Sequence, residues 1–182
     1  MIDFFERVKA ERDPLKKLVA HIPGFQGYVE RQTRRDGDRL LRETVSRRFE
    51  EHWKRASNLQ NDLVSAGLIA YVDDTEKAAI QLRTFIDKIK AAPLGYAGLF
   101  DAVRINEKEL EAIYQYDLAF FDLSDQIGRA LDALEMTLRD EAGLPAAIRN
   151  LVEAGRLAVE TYDRRNEAFL GNANPQPSQP SQ

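Results

Sequence analysis

Between Leu110 and Leu138, apolar residues recur at alternating spacings of three and four, through Ile113, Phe120, Ile127, Leu131 and Leu134. A stripe of this period is the seam of a helix packed in a bundle, and the rest of the chain must supply its neighbours. Tyr114, Leu118 and Phe121 widen it, so the helix is expected to meet more than one partner. Its ends are marked. Asn106 and Glu109 have capping-box spacing, and Ile105 and Leu110 can form a hydrophobic staple. Gly143 suits the left-handed residue after a helix, and Pro145 cannot continue the turn. A helix over 106–139 is therefore expected. Gly128 lies near its seam, where another backbone is expected to pass close, since a mid-helix glycine costs about 1 kcal/mol against alanine.

Two seam positions are polar, Asp117 and Ser124. An ionised carboxylate in the interior must be paired or must shift its pKa. A structural ion pair, or an aspartate that reaches solvent at the seam edge, is the expectation. A polar layer that holds an ion or a small ligand is the functional alternative.

Four further helices are legible. Ile2–His21 has one apolar side interrupted at Asp13-Pro14, where proline suits a first helical position with aspartate as cap. After a turn at Ile22-Pro-Gly-Phe, a helix from about Tyr28 to Ala66 carries Leu41, Val45, Phe49, Ala56, Leu59 and Leu63 on its apolar side, with Gly67 as its stop. A third, from Asp73 to about Ala92, carries Ala78, Ala79, Leu82, Phe85, Ile86 and Ile89. The last, Pro145–Leu170, carries Ile148, Leu151, Val152, Gly155, Val159, Tyr162 and Phe169, with Gly171 closing it. The fold expected is all-α: an antiparallel bundle of four to five helices with a short N-terminal helix packed alongside. It forms one domain over 1–171, followed by a disordered Pro/Gln/Ser-rich tail over 172–182.

Charge assigns neighbours. Residues 30–55 hold nine Lys/Arg against six Asp/Glu, and residues 101–141 hold eleven Asp/Glu against four Lys/Arg. The basic second helix should lie beside the acidic seam helix. Arg31, Arg34, Arg35 and Arg42 are then the candidate partners of Asp117, because a guanidinium binds a carboxylate through two parallel hydrogen bonds. The same cluster, with Asp117 and Ser124, forms the candidate layer for a small anion or a metal. Within the second helix, Asp38–Arg42, Glu43–Arg47, Glu50–Lys54 and Glu51–Arg55 have i,i+4 spacing.

Little points to chemistry. The chain has no cysteine and two histidines, and neither histidine follows a glutamate by three positions, so thiolate, imidazole-rich and ferritin-like di-iron sites are excluded. Phosphate-binding glycine loops, nucleophile elbows, zinc-protease motifs and EF-hands do not occur. No catalytic residue, metal or cofactor is nominated. A net charge of −4, with acids interleaved among the bases, disfavours nucleic acid. The mixed charges of Ile2–His21 disfavour membrane docking. The N-terminus lacks the order of a signal peptide, and uncharged runs are too short to span a bilayer, so a cytoplasmic protein is expected.

The connection 93–105 is long and apolar. Its Tyr96, Leu99 and Phe100 are expected either to cap the core or to present a docking surface. Ile22-Pro-Gly-Phe-Gln-Gly-Tyr, Arg34-Arg-Asp-Gly-Asp-Arg-Leu-Leu-Arg and Gly95-Tyr-Ala-Gly-Leu-Phe-Asp together resemble a family of bacterial helical proteins. The resemblance covers most of Phe25–Leu134. It implies a bacterial source and a helical fold, with no activity and no site residues. The function expected is a non-enzymatic scaffold or interaction domain, binding a protein partner or itself. The alternatives are the ion-binding layer at Asp117 and peripheral membrane association.

Overall fold

The computed structural model describes residue 4 and residues 13–25, 31–91, 107–138 and 141–173; side chains at 31–35, 107, 109 and 169–173 fall outside that description. Five α-helices are present there: α1 Pro14–His21, α2 Arg31–Ser65, α3 Val72–Ala91, α4 Glu107–Thr137 and α5 Leu144–Ala173. A single 3-10 turn, Ile69–Tyr71, precedes α3, and no strand occurs among the described residues. The all-α bundle with a short N-terminal helix is thus the architecture observed. Asn106, Ile105 and the tail from 174 lie outside the described residues.

Each long helix buries its three-to-four stripe. The six apolar residues expected on α2 and the six on α3 are all buried, as are Ile113, Phe120, Ile127, Leu131 and Leu134 of α4. α2 ends in a Schellman motif. Gly67 takes φ +78°, its N–H reaches Val64 O at 3.0 Å, and the Leu68 N–H reaches Leu63 O at 2.9 Å. Leu68 then packs with the buried Leu63 in the core.

Other boundaries differ from expectation. Asp73 sits inside the first turn of α3, where it complements the helix dipole instead of capping it. Gly143 has no positive φ. Its requirement is space, since a Cβ there would lie 2.8 Å from Thr137 Cγ2. Gly171 does not close the last helix, which continues to Ala173; a glycine penalises a helix interior by only about 1 kcal/mol.

The contacts fix the topology. Phe49 stacks on Phe85, Arg83 covers the Trp53 ring and Lys90 pairs with Glu50, so α2 and α3 run antiparallel. Asp117 meets Arg165, while Thr137 meets Gly143 at the turn between α4 and α5, so that pair is antiparallel too. Between the two hairpins the numbers rise together. His52 meets Ser124 and Arg55 meets Asp132, then Gly155 meets Gln81 and Asp163 meets Lys88. α2 is therefore parallel to α4, and α3 to α5. The order around the bundle is α2, α3, α5, α4. α1 lies along α4, with His21 stacked 4.8 Å from Phe121 and Phe25 edge-on to Tyr114. Asp13 is not helical, so the chain bends at Pro14.

Charge complementarity joins α2 to α4. Arg55 bridges Asp132 and Glu135 at 2.6 and 2.9 Å, and Arg48 lies 3.8 Å from Asp125. Of the i,i+4 pairs expected on α2, Asp38–Arg42 forms. Glu43 instead pairs with Arg39, Glu50 with Lys90 and Arg55 with α4. At Glu50 and Arg55 the partner on a neighbouring helix took precedence over the one along α2.

α5 turns differently from its expected face. Val152 and Val159 are only half-buried, and Ala147, Ala154 and Ala158 fill the core beside Ile148 and Leu151. These small residues let α5 close on α3. At Gly155 a Cβ would lie 3.0 Å from Gln81 Cβ and 3.7 Å from Ala78 O. Gly155→Leu should accordingly force the two helices apart and destabilise by about 1–3 kcal/mol in urea unfolding. A stability at or above that of the parent chain would refute the close approach.

Candidate functional site

The two polar seam positions of α4 lie one heptad apart, about 10 Å along the axis. Each is answered from other helices.

At the first layer Asp117 is fully buried. The Arg165 Nε donates to its Oδ1 at 2.5 Å, and the Arg165 Nη2 lies 3.4 Å from Asp38 Oδ1. Asp38 also receives Arg42 at 2.6 Å. The result is an alternating row, Arg42–Asp38–Arg165–Asp117, from α2 through α5 to α4. Among the described side chains, two carboxylates face two guanidiniums. Arg165 uses different nitrogens for its two acids, as a planar fork allows and an ammonium does not. The row also explains how α2 remains helical where apolar residues are scarce: its support there is ionic and comes from α5.

The sequence places Asp117's partner among Arg31, Arg34, Arg35 and Arg42. The structure seats Arg165 there, with Arg42 one link further along. Arg31, Arg34 and Arg35 are on the first turns of α2, and their side chains lie outside the described residues. Tyr96, Leu99 and Phe100 lie outside them entirely. A signal for Arg165 exists in the sequence. It stands three residues after Tyr162 and four before Phe169, in a gap of the α5 stripe. An arginine in an apolar stripe, matched by an aspartate in another, marks a buried pair.

At the second layer, His52 Nε2 lies 2.9 Å from Ser124 Oγ. Gly128 leaves room for this ring, whose Cε1 would sit 3.4 Å from a Cβ there. The close neighbour of Gly128 is thus a histidine side chain and not a backbone. His52 Nδ1 is buried with no hydrogen-bond partner. The economical tautomer keeps the proton on Nε2 and donates it to Ser124, leaving Nδ1 bare. Protonation would create a buried N–H with nothing to accept it. The His52 pKa is accordingly lowered, first by burial and then by Arg55, with Glu51, the Ser124 hydrogen bond and Asp125 opposing.

The linkage has a definite sign. The folded-state pKa lies below the unfolded value, so the unfolded chain binds more protons in that window. This part of the stability is complete above about pH 6.5 and declines as pH falls toward the folded value. Thermal unfolding between about pH 7.5 and about pH 5 should show a fall that His52→Gln flattens. Parallel profiles for the two proteins would contradict it.

Ser124 is buried, and its hydroxyl meets the His52 ring inside the bundle. Among the described residues no group of three or more His, Asp or Glu side chains is placed to hold a metal ion, and no helix is long and apolar enough to cross a membrane. Compared with family models, curated proteins and solved structures, the chain matches none.

Proposed function

We propose that this chain is a non-enzymatic helical-bundle scaffold or protein-interaction domain, cytoplasmic and related to the bacterial helical proteins it resembles. One observation carries the reading. In the core Asp117 is engaged by Arg165 and Asp38 by Arg42, so these charged side chains hold helices to one another. This arrangement suits a frame that holds surfaces in place. An ion-binding layer at Asp117 has weaker support, because Arg165 already engages that carboxylate.

The candidate surface is the apolar segment with Tyr96, Leu99 and Phe100. Light scattering after gel filtration, together with an affinity pull-down, tests the proposal. The expected result is a mass above that of one chain, or a reproducible protein partner. Either should be lost in the Tyr96→Ser/Leu99→Ser/Phe100→Ser variant. A lone monomer with no partner in both measurements overturns it.

A further inference from the structure

Beyond the core, the parallel packing of α3 and α5 leaves a groove of about 570 Å³ between their first turns. That volume suits a small organic molecule. Its floor is apolar: Ile148, Val152 and Pro145 of α5 and the ring of Tyr71. Charged groups stand around it, and most are already neutralised. Lys77 holds Asp74 at 2.6 Å. Glu153 is gripped by two nitrogens of Arg156, which holds its carboxyl below the ordinary range. Arg149 is the exception. It lines the same groove, and among the described residues it forms no ion pair. One uncompensated guanidinium therefore borders an apolar floor.

We propose that this groove binds a small organic acid with a single carboxylate and an apolar body of one ring or a short alkyl chain. The body covers Val152, Pro145 and the Tyr71 ring, which are partly exposed, removing apolar surface from water. The carboxylate takes the two parallel hydrogen bonds that Arg149 can offer. The rim acids do not repel it, because their own cations answer them. An uncharged molecule of the same shape would fill the floor and leave Arg149 unanswered. The groove is separate from the Arg42–Asp38–Arg165–Asp117 row, so its failure would leave the scaffold reading standing.

The test is a titration of the full chain with 3-phenylpropionate, followed by amide NMR shifts, with 3-phenylpropanol as the uncharged counterpart. Saturable shifts are expected at Tyr71, Lys77 and residues 148–153. Arg149→Gln should weaken binding about tenfold, the loss expected of one charge-assisted contact. The alcohol should bind the parent chain more weakly by a similar factor. Arg129→Gln removes another arginine without an ion pair among the described residues, on α4, and should change nothing. Arg149 and Arg129 are both exposed, so neither variant threatens the fold. Absent shifts, shifts scattered over the surface, or equal binding by Arg149→Gln, the alcohol and the parent pairing would each overturn the proposal.

Discussion

Replacing Arg165 by methionine should destabilise the bundle by about 3–5 kcal/mol, the range for removing one partner of a buried ion pair. Asp117 is fully buried, and Arg165 is its cation from α5. Asp38 keeps Arg42, and Asp117 would lose the guanidinium that α5 supplies. Urea unfolding would show a lower midpoint at unchanged slope. Against a total stability of about 5–15 kcal/mol for a domain, such a loss would be conspicuous. Removing the acid as well, in Arg165→Met/Asp117→Leu, should cost less than the two single changes added together, by about 1–3 kcal/mol. If Arg165→Met alone costs less than about 1 kcal/mol, the row is not buried as described.

Phe85→Ala should have an effect of similar size, about 3–5 kcal/mol. Phe85 projects from α3, is fully buried, and touches an aromatic ring from each of the other long helices. Its centroid lies 4.1 Å from Phe49 of α2, 5.3 Å from Phe120 of α4 and 6.4 Å from Tyr162 of α5. Truncation would leave a cavity walled by four helices, none able to close it without disturbing its own pairings. The loss combines transfer energy with cavity energy for that reason. Ile80 lies on the same helix and is 54% exposed, so Ile80→Ala should stay within about 0.5 kcal/mol. Comparable losses for the two variants would place the core elsewhere.

Much of the helical architecture was legible because it is local. The stripes on α2 and α3 name their buried residues directly, since a side chain's position on a helix follows from its number. Gly67 marked the end of α2 because a left-handed residue there spares the Cβ clash. Gly171 and Gly143 show the limit of the same inference. A glycine also serves where another atom comes close, and the chain alone does not distinguish the two uses. On α5 the valines were expected inward, yet the alanines are, because the backbone of α3 passes too near for larger groups.

The candidate site was only half legible. Asp117 and Ser124 stood out as polar interruptions in an apolar seam. Their partners Arg165 and His52 come from other helices, 48 and 72 residues away in sequence. The charge balance pointed correctly to α2 beside α4, and Arg48 and Arg55 make that contact. It could not indicate α5, whose one decisive arginine is hidden among ordinary surface charges such as Arg156 and Arg164.

By itself, then, the sequence determined which segments are helical and which side of each turns inward, because periodicity and turn chemistry act within a few residues. The tertiary structure alone decided that the two hairpins run parallel to each other, that Arg165 answers Asp117, and that Arg149 has no acid paired with it among the described residues where it borders an apolar groove. Those outcomes depend on which helices meet and at what height. A one-dimensional pattern shows that a buried charge needs a partner, and only the packed arrangement determines which one lies within reach.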